Sequence, residues 1–318
     1  MNKKLIAAAI AAAVSAPAAM ADVTVYGKIH MSVDSVDMDN GSFDGQQISS
    51  RASRLGFKGS EDLGNGLKAV WKLEYALTAD EPSNGLGGNA RDHYLGLAGN
   101  FGTVLLAGRA NSPYKNSTGK MDFFSDELGD YNGTLGFEDQ RLSNAIVYIS
   151  PKFSGLQFSG GVMAGEAAGT ADGLADAYSM ALTYNNAGIM AAIAHENMED
   201  VGGGADKKTR AGLGYKMDAF KVAGVYETED NAGADTDRFQ ISAAYTMGNN
   251  TVKAMYGQED VDGGAESDAW GLGVDHKMSK RTKVYAQYVD SERALQLGDG
   301  NDGTGAGDGF SLGMMHSF

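Results

Sequence analysis

Apolar and polar residues alternate along the chain from residue 23 onward. Val23, Val25 and Ile29 fall on one face of an extended segment, whereas Lys28 and His30 fall on the other. A period of two residues is typical of a β-strand. Here one face is apolar and the other carries charge, which is the pattern of a barrel strand that has lipid on its outside and water on its inside.

The same alternation recurs in sixteen segments. The candidate strands lie near 23–33, 50–59, 67–77, 91–99, 103–110, 142–150, 155–164, 176–185, 188–196, 207–216, 219–227, 238–247, 251–258, 268–277, 282–290 and 309–318. Most have one apolar face that is easy to identify, such as Leu67, Ala69, Trp71 and Leu73 in the third segment. The segment at 142–150 is apolar on both faces, so its inner face stays unassigned.

The connections between these segments are alternately short and long. The short ones are 60–66, 100–102, 151–154, 186–187, 217–218, 248–250 and 278–281, and the long ones are 34–49, 78–90, 111–141, 165–175, 197–206, 228–237, 259–267 and 291–308. A closed up-and-down barrel with short periplasmic turns and long outer loops requires this alternation, whereas a sandwich or a solenoid does not. The pattern therefore predicts an all-β, closed, antiparallel transmembrane barrel of sixteen strands, formed by a single domain at 22–318.

The first 21 residues resemble a cleaved secretory signal. Lys3 and Lys4 precede a short apolar run, and the segment ends in Ala19-Met20-Ala21. Without the two lysines, 24 basic residues face 41 acidic ones, a net charge of −17. So negative a chain is a poor partner for nucleic acid. The chain has no cysteine, which excludes disulfides and thiolate metal sites, and its scattered histidines lack metal-ligand spacing. We expect no cofactor and no metal.

Four short motifs resemble those of the Gram-negative general porins, above all the neisserial and proteobacterial branch. They are SRLGFKGSEDLGNGL at 53–67, Phe101–Val104 with Arg109, Met278–Thr282 with Tyr285, and the C-terminal His316-Ser317-Phe318. The resemblance implies an outer-membrane channel of a Gram-negative bacterium, assembled as a homotrimer in the lipid bilayer beside lipopolysaccharide. It also implies a third loop, 111–141, that folds into the lumen, and a terminal Phe318 that the outer-membrane assembly machinery reads.

The strand parity predicts a basic inner wall that faces an acidic loop. The wall residues are Lys28, Arg54, Lys58, Lys68, Lys72, Arg109 and Arg141, with Glu74 among them. The loop acids expected at a constriction are Asp122, Asp126, Glu127 and Asp130, followed by Glu138 and Asp139. Such opposite charges would set up a field across a water-filled path. Because these carboxylates would stand in the path and the net charge is negative, we expect a weak preference for cations. The simpler interpretation is a solvated acidic loop over a wet lumen.

Two other functions fit a barrel of this kind. A barrel hydrolase needs a nucleophile, a base and an acid held on rigid strands, and only His195 beside Glu196 offers a start. A structural or adhesive barrel with a blocked lumen is compatible with the glycine-rich acidic loops. A passive-diffusion channel remains the leading hypothesis, because it requires the loop alternation and needs no catalytic residues.

Overall fold

The computed structural model describes residues 22–80, 90–165, 173–198, 207–231, 233–295, 297 and 305–318. The expected signal at 1–21 lies outside these residues, as do parts of five of the predicted long loops. Within the described part of the chain, none of the helices is both long and apolar enough to cross a membrane.

Seventeen extended segments make up a single antiparallel sheet. They are β1 (Asp22–Met38), β2 (Asp44–Ser50), β3 (Arg54–Gly64), β4 (Leu67–Ala76), β5 (Ala90–Gly99), β6 (Gly102–Asn111), β7 (Arg141–Ile149), β8 (Leu156–Met163), β9 (Ala177–Asn186), β10 (Ile189–Asn197), β11 (Lys207–Met217), β12 (Phe220–Asp230), β13 (Thr236–Met247), β14 (Asn250–Val261), β15 (Ser267–Lys277), β16 (Thr282–Ser291) and β17 (Gly307–Ser317).

The sheet closes because its last strand pairs with its first. Lys28 of β1 lies opposite Ser317 of β17, and the pairing continues to Met38 and Gly307. The other edge of β1 pairs with β2 over residues 31–37 and with β3 over residues 22–28. Since β2 and β3 follow one another along the same neighbour and are separated only by residues 51–53, they count as one strand of the barrel. This confirms the predicted closed barrel of sixteen antiparallel strands.

The two faces of the barrel differ as the alternation predicted. Leu213, Ile241 and Leu272 point outward and keep 64%, 54% and 55% of their surface exposed. In an outer membrane, lipid covers such a band, and no protein core is needed on that side. The structure also settles the segment at 142–150, where Ala145 and Val147 are buried inside and Ile146 points outward.

The predicted long connection at 34–49 is wrong. β1 continues to Met38 and β2 begins at Asp44, so only residues 39–43 form a loop. The alternation was missed because its polarity is inverted here. Val36 and Met38 point inward and are almost fully buried, whereas Ser35 and Asp37 face outward. The assumption that apolar residues face outward fails where the interior of the barrel excludes water. The connections 231–235 and 262–266 are likewise shorter than predicted.

The segment between β6 and β7 carries two short helices, α1 (Pro113–Thr118) and α2 (Tyr131–Thr134). Ser112 caps α1 by accepting a hydrogen bond from the backbone N–H of Lys115, and Pro113 occupies the first turn, where its missing N–H costs nothing. The segment packs through apolar side chains against strands of the far wall. One cluster joins Met121, Tyr131, Leu135 and Phe137 to Ala192, Ala223, Val225 and Ala269, and a second joins Phe124 and Leu128 to Val36, Met38, Met255, Val289 and Leu295.

Candidate pore constriction

A buried carboxylate attaches the tip of the 112–140 segment to the strands opposite its origin. Glu127 is 1% exposed, and its two oxygens accept hydrogen bonds from Lys253 of β14 at 2.6 Å and from Lys283 of β16 at 2.7 Å. Asp275 of β15 lies between the same two ammonium groups, 3.3 Å from Lys253 and 3.1 Å from Lys283. Two cations and two anions thus compensate one another where water is excluded, as buried charges require.

A buried arginine holds the other end of the segment. The Arg210 side chain of β11 is fully buried, and its guanidinium donates to Asp139 at 2.7 Å and to Glu227 of β12 at 2.8 Å. Its central carbon lies 4.4 Å from the ring centroid of Tyr114, whose hydroxyl donates to the same Glu227. Glu138 pairs with Lys208 of β11. A planar, delocalised cation suits this combination of carboxylates and rings better than an ammonium would.

Asp122 and Asp130 were expected to face the water path, and the structure corrects this. Asp122 accepts from the backbone N–H of Phe124 at 2.9 Å, and Asp130 accepts from those of Asn132 at 2.9 Å and Asp126 at 2.6 Å. Both are buried within the segment and act as caps of its turns. Burial raises the pKa of Asp122 to about 7. Burial also raises the pKa of Asp130, and the charges of Asp122 and Asp126 add to the effect.

Asp126 is the one carboxylate of the four predicted loop acids that faces the basic wall. Its Oδ2 accepts from Lys28 of β1 at 2.6 Å and lies 3.9 Å from the guanidinium of Arg54 in β3. Burial by itself raises the pKa of Asp126, but the charges of Lys28 and Arg54 and the Lys28 hydrogen bond outweigh it and hold the pKa at about 2. Asp126 is therefore ionised at any physiological pH. Glu127 points away toward the far wall, as described above.

An open cavity of about 560 Å³ lies between this side of the segment and strands β1 and β3 to β7. Its charged lining comprises the basic residues Lys28, Arg54, Lys72, Arg91, Lys115, Lys120 and Arg141 and the acidic residues Glu74, Asp92, Asp126 and Asp139. Seven basic side chains against four acidic ones leave an excess of three positive charges. The expected carboxylate row is absent from this lining, because three of its four members are buried elsewhere.

The predicted wall lysines occupy different levels of the inner face. Lys72 of β4 bridges Asp92 at 2.6 Å and Glu74 at 3.1 Å. Lys58 lies 4.9 Å from the ring centroid of Tyr26, which itself lines the cavity. Lys68 is exposed beside the short turn at 65–66 and does not reach the cavity. Of these three lysines, Lys72 is compensated by neighbouring carboxylates.

Arg109 was expected to face inward in the basic wall, but it is not among the residues that line the cavity. Arg109 lies opposite His93, which lies opposite the outward-facing Leu73. The register between β5 and β6 shifts by one residue at Gly108, because Tyr94 pairs with residue 107 while His93 pairs with residue 109. Such a bulge changes which side chains share a face on its two sides. Beyond it, Arg109 alternates with Ala110, and Arg141, two positions along the neighbouring strand, lines the cavity.

The sequence reasoning missed the residues of the far wall that hold the segment in place, which are Lys208, Arg210, Lys253 and Lys283. It also missed three basic residues that line the cavity, Arg91, Lys115 and Lys120. Strand parity could have found Lys208 and Arg210, since they alternate with the outward Ala211 and Leu213. Parity alone says nothing about which loop residue such a cation meets.

The candidate catalytic pair is not assembled. His195 and Glu196 are neighbours on β10 and therefore lie on opposite faces of the sheet. His195 bonds through Nδ1 to the hydroxyl of Thr209 at 2.9 Å, whereas Glu196 is fully buried on the inner side, opposite Ser179 and Lys208. A base and an acid on different faces cannot act on one substrate.

Phe318 completes the seam between the first and last strands. Its backbone exchanges two hydrogen bonds of 3.1 Å with Gly27 of β1, and its ring lies directly over that glycine. A Cβ at position 27 would come within 2.3 Å of the Phe318 ring. Gly27 is therefore required by close approach, which is a common reason for glycine within a strand.

Comparisons with known proteins agree with this architecture. The family described as Gram-negative porin matches residues 7–294. The major outer membrane protein P.IB of Neisseria meningitidis serogroup A / serotype 4A is 31% identical over the whole of both chains. The solved anion-selective porin from Comamonas acidovorans has a TM-score of 0.80 and 26% identity, covering 94% of this chain and all of that one.

A trimer form of OmpT, an outer membrane protein of Vibrio cholerae, has a TM-score of 0.71 and 16% identity, covering 94% of this chain and 99% of that one, and it shows the shared fold. The barrel is closed, its outer surface is compatible with lipid and its interior is charged. Porin relatives match it over nearly its full length, so the protein is a channel for passive diffusion across the outer membrane. The chain belongs to the Gram-negative porin family.

Proposed function

We propose that the 112–140 segment narrows this diffusion channel and that the remaining opening favours small anions. The excess of basic over acidic side chains in the cavity carries the proposal. Fixed charges that line a narrow water path repel ions of their own sign and raise the local concentration of the opposite one. The acidic outer loops act before the constriction, where the channel is wide and salt screens them over about 8 Å.

Two properties of the segment support the narrowing. Its apolar clusters and ion pairs fill the side of the barrel next to β10 to β16, so solutes are left with the side next to β1 and β3 to β7. The Comamonas acidovorans porin, described as anion-selective, gives independent support at 26% identity. The expectation of a cation preference depended on exposed carboxylates in the path, and three of the four are buried.

The proposal extends to assembly. We infer that residues 1–21 are removed as a secretory signal, that the barrels form a homotrimer in the bilayer among lipopolysaccharide, and that the assembly machinery reads Phe318. The C-terminal ring is 44% exposed on the completed seam, so it is accessible to a binding partner.

Reversal potentials in a potassium chloride gradient test the selectivity. Wild-type trimers in a planar bilayer should show a chloride-to-potassium permeability ratio above one. Arg141→Gln removes a lining charge that makes no ion pair with the residues the structure describes, and it should move the ratio toward one. Lys68→Gln is the control, because Lys68 is a basic side chain that is exposed beside the turn at 65–66 and does not reach the cavity, and it should leave the ratio unchanged. A potassium-preferring wild type would refute the proposal.

A further inference from the structure

A second cavity lies on the other side of the 112–140 segment, near the short turn at 218–219. It has a volume of about 480 Å³. Its lining includes Phe123, Lys216, Lys221, Thr246, Thr251 and Lys277. Lys120 lines the main cavity, whereas Phe123 lines this one. A stretch of four residues, 120–123, therefore separates the two spaces.

Two lysines of this cavity face each other directly. Lys216 of β11 lies opposite Lys221 of β12 in the register, so their side chains share one face of the sheet. Like charges in this arrangement destabilise a strand pair. On Lys221, Lys120 acts as a further like charge and Asp122 as an opposite one. The ammonium groups of Lys216 and Lys221 therefore share a face where a carboxylate close to both would be stabilising.

No such carboxylate is supplied by the residues that the structure describes. Lys216, Lys221 and Lys277 have none within 4.0 Å. Lys221 donates only to the carbonyl oxygen of Lys120, at 2.9 Å, and its ammonium lies 3.9 Å from the ring centroid of Phe123. This carbonyl and this ring hold the ammonium in place without neutralising it. Lys221 is therefore held with its positive charge intact, whereas Lys216 and Lys277 are exposed.

The acidic residues of the cavity are engaged elsewhere or stand apart. Asp275 pairs with Lys253 and Lys283, and Asp122 accepts backbone hydrogen bonds within the 112–140 segment. Asp218 is exposed at the turn. Among the described residues, none of the three makes an ion pair with Lys216 or Lys221, although the charge of Asp122 acts on Lys221 from a longer distance.

The neighbouring positions leave room for a ligand. Ala244 lies opposite both Lys221 and Lys253, so a methyl group stands between two long cationic side chains. One row further along, the hydroxyls of Thr246 and Thr251 are 3.0 Å apart. One of them donates to the other and the second proton is left for an acceptor in the cavity. Ammonium and hydroxyl donors around a small open space match the oxygens of a phosphate or a carboxylate.

We propose that this cavity is a binding subsite for a small oxyanion of two or more negative charges, held by Lys216, Lys221 and Lys277 after it passes the constriction. The proposal rests on the anion preference proposed above, because only anions would reach the site in quantity. Chloride has a single charge and no fixed geometry for several donors, so it would pass with little retention. The subsite would thus retain phosphate or dicarboxylate solutes at the inner end of the channel.

Chloride current through wild-type trimers provides the assay, with inorganic phosphate as the probe. Rising phosphate at constant ionic strength should reduce the chloride current along a saturating curve. Lys216→Gln and Lys221→Gln should each raise the half-saturating phosphate concentration about tenfold, because each removes one charged donor. Lys68→Gln is the matched control, since Lys68 is an exposed lysine near the turn at 65–66, outside both cavities, and it should leave the curve unchanged. Succinate in place of phosphate tests whether carboxylates share the site.

Thermal unfolding of the detergent-solubilised protein gives a readout that is independent of conduction. Phosphate should raise the melting temperature of the wild type and fail to do so in Lys221→Gln, while the variant without phosphate should be at least as stable as the wild type, because a like-charge pair has been removed. A linear decline of current without saturation, or an equal loss in Lys68→Gln, would overturn the subsite. The reversal potential tests the anion preference separately, so the two proposals can fail independently.

Discussion

The attachment of Glu127 to the far wall makes a prediction that can be worked out quantitatively. In Glu127→Gln, Lys253 and Lys283 lose one of their two compensating carboxylates. Removing one partner of a buried ion pair costs about 3–5 kcal/mol. Asp275 remains 3.3 Å from Lys253 and 3.1 Å from Lys283, so the lower value of about 3 kcal/mol applies.

This free energy should be lost from the docking of the 112–140 segment, since the barrel strands keep all their hydrogen bonds. At about 1.4 kcal/mol per factor of ten, 3 kcal/mol is roughly a 100-fold rise in the population of the undocked segment. Hydrogen exchange of backbone amides in peptides that cover residues 121–135 should accelerate by about that factor, because these amides exchange through local opening. Peptides from β11 to β15 should exchange as in the wild type.

Asp218→Asn is the matched control. Asp218 is a carboxylate of the same charge that is exposed and makes no ion pair with the residues that the structure describes. A surface change of this kind alters stability by about 0.5 kcal/mol or less, so exchange in 121–135 should change by about twofold at most. If Glu127→Gln leaves exchange in these peptides at the wild-type rate, the ion pairs do not hold the segment and the reasoning is wrong.

Three further predictions concern pH, the seam and the lipid face. Because burial raises the pKa of Asp122 to about 7, the docked segment retains a proton that the released one gives up above pH ~4. Because of this proton on Asp122, docking should weaken by up to about 1.4 kcal/mol per pH unit from pH ~4 to ~7. Asp122→Asn should reduce this slope in exchange rates corrected for intrinsic chemistry, and the part that remains comes from Asp130, whose pKa is also raised by burial. Gly27→Ala should displace the Phe318 ring and lower the unfolding free energy in urea by about 1–3 kcal/mol, whereas Gly45→Ala, where the nearest atom would be 3.7 Å away, should be neutral. Leu213→Arg on the outward face should cost about 2–4 kcal/mol in lipid vesicles, with little loss in detergent that can adapt around the charge; an equal loss in both would contradict a lipid-facing position.

The barrel could be predicted from the sequence because its determinants are local. Most strands have an apolar outer face and are joined in pairs by short turns. The alternation of residues within each strand indicates which face points outward. The prediction failed at positions where the inner face of the barrel is apolar or where the register shifts. At Val36 and Met38 the inner face is apolar and buried, so apolar residues point inward, and at Gly108 an extra residue shifts the register on which the placement of Arg109 depended.

The site was harder to predict because charges of one sign have several possible partners. Asp122, Asp126, Glu127 and Asp130 look alike in the sequence, yet only Asp126 meets the cavity. Asp122 and Asp130 each accept from the N–H two residues later, a local turn signal that was available. The partner of Glu127 was not available, because Lys253 is 126 positions away and the pairing depends on how a 29-residue segment folds across the barrel.

The seam between β1 and β17 constrains how the molecule can form. Until Phe318 and Ser317 meet Gly27 and Lys28, both outer strands present rows of unsatisfied N–H and C=O groups. These partners lie at opposite ends of the described chain, so the bond that ends this exposure is also the one with the largest loop to close. If the sheet grows one hairpin at a time, its tendency to pair with other chains does not decrease, because an incomplete barrel always has two free edges. Edge-to-edge association therefore competes with closure at every stage before the ring is shut.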